Sequence, residues 1–289
     1  MPLPSQDRAL KAAFLCCLAY SDGSPDELGL ETAAGPTWMG VRFCFSKWRR
    51  IGDEGTDAQA LCCYERRSGT CWVVFAGTQS LTDALCDAYA LRYRAGFLCD
   101  DDGSAVPRVH AGFLTQYQSI EPAVTKYIAE CAAVGKQAGS VTSVTVTGHS
   151  LGAALALLCA TDLAVNASGL QAVACLAFGC PRVGDAGFVR RVRELRSLDV
   201  RRYILRNDPI TRVPSRFFFE HAGEAHRLHG TSRPATVEPT DSWWSAFRLP
   251  VPCRLGNHDM TAYLEAVAQL GGAPAVRRRR SVKRGLFGY

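Results

Sequence analysis

The segment Thr145–Ala156, TVTGHSLGAALA, constrains the fold more than any other stretch of the chain. A run of small and β-branched residues stops at Gly148, sets His149 and Ser150 side by side, and resumes after Gly152 as an alanine- and leucine-rich run. The first part reads as a strand and the second as a helix. A strand that becomes a helix within one turn leaves no room for side chains at the flanking positions, which favours glycine there. It also holds the residue between them in a strained backbone conformation. A serine at that point carries its hydroxyl above the sheet edge, with the helix N-terminus aimed at it. The G-x-S-x-G pattern between strand and helix points to a nucleophile rather than a turn residue.

The rest of the chain repeats the strand–helix alternation. A first helix is expected over Gln6–Ala19, closed by the turn signal SDGSPDELG. Two strands, Ala60–Tyr64 and Cys71–Phe75, flank ERRSG as a hairpin. Helices follow over Thr82–Ala95 and Phe113–Val134, separated by the loop CDDDGSAVP. SVTSVTVTG and Ala172–Phe178 read as strands around a helix at Ser150–Val165. Asp185–Leu195 reads as a helix and VRRYILRN as a strand. FFFEHAGEAHRLHG reads as a terminal hairpin or edge strand, before a last helix at Asn257–Leu270. Such alternation specifies an α/β fold, a mostly parallel twisted sheet with helices on both faces. With 289 residues, 47% of them hydrophobic, the chain is long enough for one large domain with a full core.

Charge and cysteine content limit the alternatives. Arg277, Arg278, Arg279, Arg280, Lys283 and Arg284 carry all of the formal +6, so the rest of the chain is close to neutral and gives no general case for nucleic acid. The tail itself reads as a disordered, solvated end; an import signal or contact with anionic lipid or nucleic acid are the other readings. The N-terminal stretch lacks a basic leader and a long apolar core, and no run approaches the roughly 18 apolar residues of a membrane span. Thirteen cysteines, none in a C-x-x-C pair, sit mostly in apolar segments and read as mainly reduced thiols. A cytoplasmic location is the expectation.

A serine hydroxyl needs a base, and the base needs an acid that fixes its tautomer. With this turn the order along the chain is serine, acid, histidine. Asp162 lies three turns down the helix that follows Ser150 and points away. Asp208 sits just past the strand YILRN, at a carboxyl end of the sheet where open α/β sheets form their sites. Among the histidines, His149 is inside the turn, and His221, His226 and His229 lie on an expected strand or hairpin. His258, in the loop RLGNHDM before the last helix, is the candidate base, against the plainer reading of a helix-start histidine beside Asp259.

Taken together, the segments resemble the fungal-type (class 3) lipase family of the α/β-hydrolase superfamily. VVFAGTQSLTDALCDA is similar to its oxyanion strand and lid start, VHAGFLTQY to its H-x-G-F segment, and VTVTGHSLGAALALL to its serine turn. FGCPRVGD, RNDPITRVPS, FEHAGE and NHDM follow in the family's order between about residues 58 and 270. The resemblance implies an α/β-hydrolase domain over 58–272 with a lid segment. An N-terminal helix and connecting segment, 1–57, would pack on its core, with the basic tail at 273–289. It implies an oxyanion site from the N–H and hydroxyl of Thr78 with the N–H of Leu151. It implies a lid within Gln79–Ala95, with Gln79, Leu81, Ala84, Leu85, His110 and Phe113 facing lid or substrate. Ala76 replaces the family's arginine and Ala84 its common tryptophan, which weakens the expectation of a firmly held lid and of strong interfacial activation.

The reaction so implied is carboxylic ester hydrolysis, on acylglycerols or related lipids, with a lipid surface as a transient partner and with no metal or organic cofactor. A phospholipase A1 or soluble esterase is the alternative within that chemistry, and a catalytically silent binding protein the alternative outside it. Asp100–Asp102 lacks the spacing of a calcium loop and reads as solvated. Trp243, Trp244, Phe247 and Leu249 form an apolar cluster that could line an acyl pocket, meet a membrane, pack in the core or join a second copy.

Overall fold

The structure, a computed structural model, describes residues 6–21, 37–38, 41–42, 44–77, 91–98, 106–137, 143–167, 170, 172–229, 235–238 and 255–271. Its centre is an eight-stranded sheet. The strands, in chain order, are β1 (Ser46–Asp53), β2 (Ala58–Glu65), β3 (Thr70–Phe75), β4 (Ser143–His149), β5 (Val173–Phe178), β6 (Leu198–Leu205), β7 (Glu224–Leu228) and β8 (Thr236–Glu238). They lie side by side in that same order. β1, β2 and β3 are antiparallel, β3 to β7 are parallel, and β8 returns antiparallel along β7.

Alternation along the strands divides the core into two layers. Cys71, Val73 and Phe75 of β3 face one side, together with Val144 and Val146 of β4 and Cys175 and Ala177 of β5. The helices α2 (Ala111–Gln137), α3 (Leu151–Asn166) and α4 (Ala186–Glu194) cover that face. Trp72 and Val74 of β3, with Leu176 and Phe178 of β5, face the other side, where α1 (Gln6–Ala19) and α5 (Met260–Ala268) pack. α3 is buried from Leu151 to Thr161 on all sides, so its sequence shows no polar face. This is the α/β-hydrolase fold.

Three segments differ from their sequence expectation. The helix expected over Thr82–Ala95 lies outside the described residues up to residue 90, and beyond it Arg92–Arg94 is a strand paired antiparallel with Arg108–His110. That pairing satisfies backbone groups a short helix end would have left open. The terminal hairpin or edge strand expected over residues 217–230 is a single inner strand, β7, between β6 and β8. Gly223, at φ +82° and against Val200, breaks the segment, since a Cβ there would lie 2.3 Å from the Val200 side chain. The edge strand β1 was not anticipated at all. Its SKWRRIGD sequence is basic and half exposed, with Lys47 at φ 55° and a register shift between Ser46 and Arg49.

Among the described residues no helix is long and apolar enough to cross a membrane, and no cluster of three potential metal ligands occurs. Nine of the described cysteines are buried free thiols.

Candidate active site

Ser150 stands between the end of β4 and the start of α3 at φ 63° and ψ −127°, a conformation that side-chain-bearing residues rarely adopt. The two glycines around it have separate reasons. A Cβ at Gly148 would lie 2.2 Å from the carbonyl oxygen of Gly152, and one at Gly152 would lie 2.2 Å from that of Phe75. Glycine is required at both because helix, turn and strand meet backbone to backbone. The Ser150 N–H donates to the Phe178 carbonyl at 2.9 Å, which ties the turn to β5.

The structure brings Ser150, His258 and Asp208 together from three distant parts of the chain. Ser150 Oγ lies 2.6 Å from His258 Nε2, and His258 Nδ1 lies 2.8 Å from Asp208 Oδ2. With Nδ1–H donating to the carboxylate, Nε2 is the free acceptor for the serine proton. Asp208 is fully buried, in the loop after β6, and its carboxylate is held from three sides. Oδ1 accepts from the Ile210 N–H at 2.9 Å, while Oδ2 accepts both His258 and the Tyr263 hydroxyl, the latter at 2.6 Å. The Tyr263 hydroxyl in turn accepts from the Leu205 N–H at 2.9 Å. A buried carboxylate is tolerable only with such a full set of donors.

Four other aspartates that follow Ser150 are occupied elsewhere. Asp162 accepts from Tyr117 and Asn166, Asp185 caps α4 through the Phe188 N–H, and Asp199 pairs with Arg201. Asp259 caps α5 through the N–H groups of Thr261 and Ala262. His221 donates to the Thr211 carbonyl, and His229 meets the Thr236 hydroxyl. His149 is buried beside Tyr20, and its ring lies over that of His258 with centroids 4.5 Å apart. Burial first, and the neighbouring His258 second, drive its pKa far below the usual value, so it stays neutral.

Leu151 is the first residue of α3, where an N–H has no partner within the helix. Thr78, Gln79, Leu81, Ala84 and Leu85 lie outside the described residues, as do Asp100–Asp102 and the cluster around Trp243. His110 and Phe113 stack at 4.2 Å between ring centroids, at the start of α2, with Phe219 beside them. Neither is hydrogen-bonded to Ser150, Asp208 or His258; the His110 Nδ1 is buried without a partner, and desolvation lowers the ring's pKa to about 4.

Two residues that hold the site were missed from the sequence. Tyr263 sits on α5, where a core-facing tyrosine gives no hint of a buried carboxylate 55 residues earlier in the chain. Gly179, at φ +58°, faces the pair directly. A Cβ on it would lie 2.8 Å from Asp208 Oδ2 and 3.0 Å from His258 Nδ1. Its signal was the FGCPR segment, which places a glycine immediately after β5, at the same sheet edge as Ser150.

A serine raised on a strand–helix turn, with an imidazole and a carboxylate delivered by later loops, defines a class: the hydrolases of the α/β-hydrolase fold. Residues 72–218, about half of the chain, match the family described as Lipase (class 3), and the chain belongs to that family. It is 35% identical over 188 residues to phospholipase A1-II 4 of rice (Oryza sativa subsp. japonica), covering 60% of this chain and 46% of that protein. It is 34% identical over 172 residues to a lipase of Rhizomucor miehei, covering 58% and 44%. The structure of Rhizomucor miehei triacylglyceride lipase superposes with a TM-score of 0.66 at 25% identity, covering 89% of this chain and 94% of that one. The chain spans less than half the length of these two curated relatives.

Proposed function

We propose that the protein is a serine carboxylic-ester hydrolase that cleaves acylglycerols through an acyl-enzyme. The observation that carries this reading is the continuous relay from Ser150 Oγ to His258 at 2.6 Å and from His258 to Asp208 at 2.8 Å, on a serine held at φ 63°. Ser150 attacks the ester carbonyl while His258 Nε2 takes its proton. Asp208 holds the tautomer and stabilises the imidazolium that forms. The oxyanion is bound by the N–H of Leu151 together with the N–H and hydroxyl of Thr78. His258 then returns the proton to the departing alcohol, and water repeats the sequence to release the acid. Gln79–Ala95 acts as the lid over this site, and a lipid surface is its transient partner. The buried thiols favour a reducing compartment such as the cytoplasm.

The similarity to a rice phospholipase A1 favours a second reading, in which the acyl group leaves a phospholipid. Turnover of p-nitrophenyl esters of graded chain length, then of triacylglycerol and diacyl phospholipid, by the wild type and Ser150→Ala tests both. Ser150-dependent hydrolysis supports the ester hydrolase and the preferred lipid separates the readings. Equal rates for the two proteins would remove both.

A further inference from the structure

The hydroxyl of Tyr20 lies at a junction that the relay itself does not account for. Tyr20 follows the last residue of α1, its N–H donating to the Cys17 carbonyl at 3.2 Å. Its hydroxyl is 2.9 Å from His149 Nδ1 and 3.4 Å from the His149 carbonyl oxygen, one residue before Ser150. The chain leaving β3 passes against the same hydroxyl, because a Cβ at Gly77 would lie 2.3 Å from it and 2.9 Å from the His149 carbonyl. Gly77 adjoins Thr78. The His149 ring, also edge-on to Tyr20, leans over His258 at 4.5 Å with the planes 32° apart.

His149 is neutral, and a neutral imidazole presents one N–H and one lone pair. A hydroxyl held at Nδ1 therefore sets the orientation of this ring, and with its own O–H directed to the His149 carbonyl it accepts from Nδ1–H. It also keeps an uncharged face against His258, which must accept a proton from Ser150. Without that anchor the ring loses the hydrogen bond that fixes its orientation, and its packing against His258 is no longer set.

We infer that Tyr20 is a positioning residue, whose hydroxyl locks the neutral His149 ring that braces His258 against Ser150 and Asp208. The inference rests on the reading of Ser150 and His258 as nucleophile and base. It extends the working site to the end of α1, outside the stretch that matches the family.

Tyr20→Phe in the full chain keeps the ring and removes only the hydroxyl. The measurement is hydrolysis of a soluble short-chain p-nitrophenyl ester, with turnover expressed per serine titrated by a fluorophosphonate and Ser150→Ala as background. The expected result is a fall of about tenfold in kcat per titrated serine, with KM and Tm close to wild type. A residue that served only folding would lower the number of titratable serines and leave turnover per serine unchanged; that result overturns the inference. His149→Asn keeps a polar atom near the Nδ1 position but removes the ring over His258. It should lose at least as much, and the double variant should be no worse than His149→Asn alone. Losses that simply multiply would overturn the shared path, and if Tyr20→Phe fails to fold, wild-type turnover in His149→Asn does the same. Absence of any Ser150-dependent turnover in the wild type defeats the hydrolase reading and this inference together. Wild-type turnover in Tyr20→Phe, with an active parent, defeats this inference alone.

Discussion

Ser150 is held in a backbone conformation that costs on the order of 1–3 kcal/mol, and the surroundings that hold it there are also what aim its hydroxyl. Its partner Asp208 has the opposite problem, a charge with no water, met by donors from Ile210, His258 and Tyr263. Asp208→Asn keeps the shape but donates where a lone pair is needed, which reverses the favoured tautomer of His258. A loss of about 10⁴-fold in kcat is expected, with a circular dichroism spectrum like the wild type. Gly179→Ala would force a Cβ into the carboxylate and imidazole at a positive φ. We expect it to lose about 1–2 kcal/mol in urea denaturation and most of its turnover, while a fully active alanine variant would contradict the close approach.

At the level of elements, the strands and helices with one dominant pattern were legible. α1 has the expected bounds, and β3, α3 and β5 lie within a residue or two of theirs, because apolar runs bounded by glycine or turn residues fix both type and end. Elements whose identity depends on a neighbour were not. β1 and the strand Arg92–Arg94 are largely polar, and they are strands because a partner strand supplies the hydrogen bonds. Gly152→Ala tests the tightest element contact, α3 against the end of β3. Helix propensity alone would stabilise the alanine variant by about 1 kcal/mol. The 2.2 Å approach to the Phe75 carbonyl should win and cost about 3 kcal/mol, read from the denaturation midpoint.

At the scale of the whole molecule, the parallel strands β3 to β6 all end at one edge, and loops leaving that edge carry Ser150 and Asp208. Chain order and position at strand ends were enough to single out these residues and His258. The supports Tyr20 and Tyr263 were not legible, since each acts by a hydrogen bond to a residue far off in the chain that no local pattern encodes, and Gly179 had only its place after β5 as a signal. Burial of histidines sets a molecular pH response. His110, His149 and His221 all have lowered pKa values, desolvation being the first cause in each. The unfolded chain then binds protons that the folded one refuses, so stability present above about pH 6.5 is lost on acidification toward pH 4. His110 alone, at about 4, should account for on the order of 2 kcal/mol between pH 7 and pH 5. His110→Phe, stacked on Phe113, should flatten the pH dependence of urea denaturation by that amount. An unchanged slope would show that this ring is not the source.

The central claim is that Ser150 is an activated nucleophile, and covalent modification tests it without any choice of substrate. Intact-mass measurement after brief exposure to a fluorophosphonate should show one adduct, mapped to the peptide containing Ser150. It should be absent in Ser150→Ala and formed far more slowly in His258→Ala. No adduct on the folded wild type, or an adduct that persists in Ser150→Ala, would contradict the account.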